Sequence, residues 1–121
     1  MARLLVIDDD PYVRELVPRL AYQLVGNAIE VLRAVDVGEA LAICAAGEVP
    51  LVLSDYFMPD CDGPELLHRL RQRFPAIRAM LMTGDAAMVG RTLAEACVPV
   101  RDKADLDAVV NEAVQLALEG L

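Results

Sequence analysis

Six side chains whose types could do chemistry together stand at the ends of short apolar runs. Asp8, Asp9 and Asp10 follow Leu4–Ile7, Asp55 follows Leu51–Ser54, Thr83 follows Ala79–Met82, and Lys103 closes the stretch that begins at Val98. Carboxylates brought together repel, by about 4 kcal/mol for a pair about 4 Å apart at an effective dielectric near 20. A hard divalent cation with oxygen ligands offsets that repulsion, and Mg2+ takes one or two carboxylates while leaving room for phosphate oxygens. An ammonium and a hydroxyl beside it suit the remaining oxygens of a phosphoryl group. A carboxylate can itself be the nucleophile, giving an aspartyl phosphate. Taken as bare residues, the set predicts Mg2+-dependent phosphoryl transfer. Strand-end aspartates also serve as turn formers and helix caps, and Asp10 before Pro11 reads as a cap.

These residues converge only if the elements that carry them form one parallel sheet. Leu4, Leu5, Val6 and Ile7 make a continuous apolar run, as a strand covered on both faces does. From Pro11 the period changes, with Val13, Leu16, Val17, Leu20 and Leu24 on one helical face. Asp10 supplies the N-cap and Pro11 the first helical position, while Pro18 should kink or weaken that helix. The couplet repeats. Ala28–Leu32 is a second strand, and Asp36 with Glu39 is a capping box opening a helix through Ala40, Leu41 and Cys44. Leu51–Leu53 is the third strand, and Pro64 starts a helix with Leu66, Leu67, Leu70 and Phe74, closed by Pro75. Ala79–Met82 is the fourth strand, about Ala86–Ala96 the fourth helix, and Val98–Val100 the fifth strand. Leu106, Val109, Val110, Ala113 and Ala117 define the last helix. Strands alternating with helices imply a parallel sheet covered on both faces, with ligands beyond the carboxyl ends of its strands. Pro99 removes a ladder donor and predicts an edge position for the fifth strand.

Composition narrows the classes. The 121 residues are 56% apolar, and 11 Lys plus Arg against 19 Asp plus Glu give a net charge of −8. That balance argues against binding nucleic acid through a basic face. No apolar run approaches the roughly 18 residues of a membrane span, and the N-terminal apolar stretch is too short for a secretory signal. Three widely spaced cysteines (Cys44, Cys61, Cys97) suggest neither a disulfide framework nor a zinc site. The expectation is a single α/β domain over residues 1–121, cytoplasmic, with no output domain attached.

Ile7-Asp8-Asp9-Asp10-Pro11, then Asp55-Tyr56-Phe57-Met58-Pro59-Asp60-Cys61-Asp62-Gly63, then Met82-Thr83-Gly84, then Lys103, resembles the receiver domain of bacterial response regulators. The likeness runs the length of the chain, and the segment D-x-x-M-P-x-x-D-G is its specific part. It implies a flavodoxin-like, doubly wound (βα)5 fold with a five-stranded parallel sheet in the order 2-1-3-4-5. It also implies Asp55 as phosphoacceptor and Mg2+ bound by Asp9, Asp55 and the backbone carbonyl of Phe57, with Asp8 acting through water. Lys103 would neutralise the phosphoryl oxygens and Thr83 would hydrogen-bond to them. The implied partners are a sensor histidine kinase or histidine phosphotransfer protein and an unknown effector or output domain. The implied activity is self-catalysed phosphotransfer and slow autodephosphorylation, not that of a conventional enzyme.

The sequence departs from the family pattern at several points. Lys103 is followed by Ala104 where the family carries proline, and because a cis bond to alanine costs about 2.5–4 kcal/mol, a trans bond is expected. Val100 stands where the family places a switching Tyr or Phe, so that coupling should be missing or rerouted. Phe57 and Asp85 occupy the positions that tune phosphoryl lifetime, Phe57 by shielding and Asp85 by repelling or placing water. Gly90 should weaken the fourth helix by up to about 1 kcal/mol. His68, with Arg69 to Arg73, reads as a solvated face, Cys61 as an accessible bystander, and Cys44 and Cys97 as core fillers. With no Lys or Arg after Lys103, an ion-paired dimer through the last helix is disfavoured, since Asp107 and Glu112 would lack obvious partners in it. Two other functions remain: a receiver fold serving as a phosphorylation-independent binding module, and a haloacid-dehalogenase-type phosphatase using Asp8 of Asp8-x-Asp10.

Overall fold

A computed structural model describes residues 2–89, 92–93 and 98–119. Its elements are β1 (Ala2–Ile7), α1 (Pro11–Val25), β2 (Ile29–Ala34), α2 (Val37–Ala46), β3 (Leu51–Asp55) and α3 (Gly63–Arg73). They continue with β4 (Arg78–Thr83), β5 (Thr92–Leu93), β6 (Val98–Asp102) and α4 (Leu106–Glu119). The sheet runs β2-β1-β3-β4-β6-β5. All pairings are parallel except that of β5 with β6. The five longer strands therefore form the expected parallel sheet in the order 2-1-3-4-5.

The continuous apolar runs have a simple cause. Successive side chains of a strand point to opposite faces, and both faces here are covered. Leu4, Val6, Leu51, Leu53, Met80 and Met82 pack with Val13, Val17 and Ala21 of α1 and Val109, Val110 and Ala113 of α4. Leu5, Ile7, Val52, Leu81 and Val100 pack on the other side with Ala40 and Cys44 of α2 and Leu66, Leu67 and Leu70 of α3. Helix starts follow the capping residues. Asp10 accepts the Tyr12 N–H, Asp36 the Glu39 N–H and Asp62 the Glu65 N–H. The Glu39 carboxylate in turn accepts the Val35 N–H at 2.8 Å, which completes the capping box one residue earlier than its usual partner. α1 continues through Pro18 to Val25, its two halves held by buried Val13, Val17 and Ala21.

Several expectations are corrected. The fourth helix is not formed where the structure describes that segment. Residues 86–89 are a turn, held by the Met88 N–H on the Asp85 carbonyl (3.0 Å) and the Ala87 N–H on Asp85 Oδ1 (3.0 Å). Thr92–Leu93 are strand, paired with Pro99 and Val98. The weak apolar periodicity of the segment gives a helix little to bury, and the open side of β6 offers backbone partners instead. Gly90 and Cys97 lie outside the described residues. Pro99 thus sits in the outermost parallel strand, but with β5 beside it. Within the chain, Arg101 of β6 grips Glu112 with two hydrogen bonds, of 2.8 and 3.0 Å. Cys61 is buried rather than accessible, folded under the loop after β3, and burial raises its thiol pKa, with neighbouring carboxylates adding to the rise. The Lys103–Ala104 bond is trans, as expected, there being no cis peptide bond among the described residues.

Candidate functional site

The register of the sheet decides which residues meet. Ile7 pairs with Ala34 and Ser54, Asp55 with Met82, and Thr83 with Asp102. Asp8, Asp55, Thr83 and Lys103 therefore leave their strands at nearly one level, with about 4.8 Å between neighbouring strands. Backbone bonds carry the ladder slightly further. The Asp8 N–H donates to the Ala34 carbonyl (3.1 Å), the Tyr56 N–H to Met82 (2.8 Å) and the Lys103 N–H to Thr83 (2.9 Å).

Lys103 Nζ lies 2.8 Å from Asp8 Oδ2 and 3.0 Å from Asp55 Oδ2. Carboxylate oxygens of Asp8, Asp9 and Asp55 lie within 4.8 Å of one another, Asp8 and Asp55 buried and Asp9 exposed. Asp8 is wholly buried. Its Oδ1 accepts the Asp10 N–H at 2.9 Å. Its Oδ2, although close to the ammonium, has no donor aligned with it as a hydrogen bond. Burial raises the Asp8 carboxyl pKa; Lys103 and the Asp10 N–H pull it down, and the Asp55 charge pushes it up. The Lys103 pKa is also raised: burial works against the ammonium, but hydrogen bonding and charge from Asp8 and Asp55 outweigh it. The Asp8 rise is thus an effect of burial, whereas the Lys103 rise follows from one cation facing two carboxylates. An all-oxygen donor set with more negative charge than one ammonium neutralises fits a hard divalent cation.

Thr83 is buried, and its Oγ1 accepts the Asp85 N–H at 3.0 Å. That bond uses an oxygen lone pair and leaves the hydroxyl proton available. The loop after Asp55 is pinned by an antiparallel bridge of Phe57 with Asp62, by Met58 N–H to Cys61 carbonyl (3.2 Å), and by Gly63 N–H to Tyr56 carbonyl (2.6 Å). The Phe57 ring is exposed and leans on Tyr56, centroids 4.8 Å apart. Asp85 is exposed, its Oδ1 turned onto the Ala87 N–H, and Val100 is wholly buried in the core on the sheet face that α2 and α3 cover.

Asp10 stays out of the site, since its carboxylate caps α1. His68 is exposed on α3, and the arginines around it are used locally: Arg69 pairs with Glu65, Arg71 Nε donates to the Ile77 carbonyl, and Arg73 lies over the Phe74 ring. The sequence reading missed Arg14, whose Nη1 donates to the Asp8 backbone carbonyl at 2.8 Å. The available signal was a cation in the first turn of a helix that opens after three aspartates.

With this geometry in view, similarity to known proteins gives the family. The profile described as response regulator receiver domain matches residues 4–98. The chain belongs to that family. Lys103 lies beyond the matched segment and is brought to the site by the fold. CitT, a transcriptional regulatory protein of Bacillus subtilis, is 35% identical over 96 residues, covering 79% of this chain and 41% of CitT. The response regulator protein FleR of Pseudomonas aeruginosa is 38% identical over 88 residues, covering 72% of this chain and 18% of FleR. The chain thus spans less than half the length of these curated relatives. Among solved structures, the receiver domain of the hybrid histidine kinase CckA aligns with a TM-score of 0.73 at 31% identity, covering 96% of this chain and 98% of that one. The response regulator TrrA of Thermotoga maritima, solved in complex with Mg2+-BeF, aligns with a TM-score of 0.76 at 26% identity, covering 97% and 99%. No helix among the described residues is long and apolar enough to cross a membrane.

Proposed function

We propose that this chain is a phosphoacceptor in two-component signalling, phosphorylated on Asp55 by a histidine kinase or a histidine phosphotransfer protein. The observation that carries the proposal is Lys103 Nζ held 3.0 Å from Asp55 Oδ2, with the Asp8 and Asp9 carboxylates alongside. An Asp55 oxygen attacks the phosphorus of a phosphohistidine; the P–N bond breaks, its electron pair stays on the imidazole, and an acyl phosphate forms. Lys103 meets the charge that develops on the phosphoryl oxygens, and the Thr83 hydroxyl proton is available to one of them. Asp9, Asp55 and the Phe57 carbonyl would hold Mg2+, with Asp8 through water, and the ion would supply positive charge against carboxylates and phosphoryl group alike. Phe57, two residues after the acceptor, would shield the phosphoryl group from attacking water. With Val100 in place of an aromatic, the state of Asp55 must reach the surface through Thr83 and the turn that its hydroxyl holds. The domain acts in the cytoplasm with its phosphodonor and passes the signal to an effector or output domain.

The phosphatase alternative is less well supported. It needs Asp8 as an accessible nucleophile and Asp10 beside it as acid, yet Asp8 is wholly buried and Asp10 caps α1. The test is intact mass after incubation with acetyl phosphate or phosphoramidate, with Mg2+ or with EDTA. One added phosphoryl group is expected with Mg2+ only, and none in Asp55→Asn. Labelling that persists in that variant would overturn the acceptor assignment, and turnover with labelling at Asp8 would favour the phosphatase. A chain that accepts nothing from small donors or from phosphohistidine proteins would be a binding module.

A further inference from the structure

Arg14 breaks a local rule. It lies in the opening turns of α1, where the helix dipole and the free N–H groups disfavour a cation. No acidic residue lies in the first turn of α1 to compensate within the helix. The side chain is half-buried and reaches back over the N-terminus, where Nη1 donates to the Asp8 carbonyl at 2.8 Å. That carbonyl is the first beyond β1, and the next two residues turn the chain into α1. The same turn is tied twice more, by the Asp10 N–H on Asp8 Oδ1 (2.9 Å) and the Tyr12 N–H on Asp10 Oδ1 (2.9 Å). Arg14 is the one side chain among the described residues that clamps the backbone of this turn from outside it.

We infer that Arg14 is a positioning residue for the acidic pair: by holding the Asp8 carbonyl it fixes the peptide between Asp8 and Asp9, and so directs both carboxylates into the site. The inference rests on the phosphoacceptor reading for its use, but it concerns divalent-cation binding by this chain and can be read without phosphorylation. Groups that orient metal ligands from behind commonly change affinity tenfold or more when removed.

Two physical roles for Arg14 predict opposite signs. If the guanidinium only balances charge, replacing it leaves the pocket more negative, and Mg2+ binds more tightly. If it positions the turn, replacing it costs ligand geometry, and Mg2+ binds more weakly despite the more negative field. The experiment is calorimetric titration of Mg2+ into wild type, Arg14→Gln and Arg14→Lys at low salt, with thermal melts in EDTA to confirm the fold. Arg14→Gln should bind Mg2+ about tenfold more weakly, and Arg14→Lys, which keeps a donor of similar reach, should recover part of the loss. Labelling by acetyl phosphate in Arg14→Gln should slow at low Mg2+ and recover when Mg2+ is raised. Tighter or unchanged Mg2+ binding in Arg14→Gln overturns the inference. Should Arg14→Gln fail to fold, Arg14→Lys with Mg2+ affinity below wild type sustains the inference, and Arg14→Lys with affinity equal to or above wild type overturns it. Wild type that binds Mg2+ but takes no phosphoryl group would overturn the phosphoacceptor reading while leaving Arg14 to stand or fall on its own titration. Wild type that binds no Mg2+ would overturn the inference.

Discussion

Lys103 carries one positive charge and faces two carboxylates, so the site holds more negative charge than its own residues neutralise. The strain of that imbalance falls on Asp8, which is wholly buried and has one oxygen without an aligned donor. Burial raises its pKa above the ordinary 3.8. A raised value means that the fold favours the protonated carboxyl. Its contribution to stability is therefore full below pH 3.8 and is lost as pH rises through the raised value. In EDTA, Asp8→Asn should be more stable than wild type near neutral pH, with the gap narrowing as pH falls toward 3.8. Thermal melts across that range check the sign, and a gap that does not change with pH would contradict it. Thr83 offers a quieter lesson. Its oxygen already accepts the Asp85 N–H through one lone pair, and its proton is free to be donated to a new ligand.

At the scale of elements, the loop between β3 and α3 gives Asp55 its setting. Gly63 begins α3 directly beneath it, and a Cβ there would lie 2.9 Å from both Leu81 methyl carbons and 3.3 Å from the Tyr56 Cα. The glycine lets α3 start close against β4, and this in turn holds the Phe57–Asp62 bridge that shapes the loop. Gly63→Ala should cost about 1–3 kcal/mol through overpacking, read as a lowered urea midpoint. A wild-type midpoint would mean that Leu81 gives way freely. The variant should also slow labelling of Asp55, since the loop that carries Phe57 moves with the helix start. Arg101 and Glu112 tie β6 to α4 two residues before Lys103, but the pair is more than a third exposed. Glu112→Gln should therefore change stability by no more than about 1 kcal/mol.

At the scale of the whole molecule, four strands from distant parts of the chain contribute to one acidic edge, and any cation bound there links them. Binding to the folded state alone stabilises it in proportion to the logarithm of cation concentration over Kd. Added Mg2+ should raise the melting temperature of wild type, EDTA should reverse the rise, and Asp8→Asn should lose most of it. A melting temperature indifferent to Mg2+ would remove the metal site from the account. The sequence by itself determined much of this molecule. Continuous apolar runs marked the inner strands, because strands covered on both faces have few polar positions to show. Asp10 and Asp36 marked two helix starts, because a cap acts through neighbouring backbone. The motif around Asp55 marked the family. What only tertiary structure decided was everything that depends on partners distant in sequence. Register brought Lys103 within 3.0 Å of Asp55, 48 residues away, and gave Glu112 to Arg101. The open side of β6 drew Thr92–Leu93 into the sheet where local periodicity suggested a helix. Cys61 was buried by its own loop folding back. Arg14 found the Asp8 carbonyl because α1 turns over the end of β1; the sequence showed a cation after three aspartates but not which backbone oxygen it would reach.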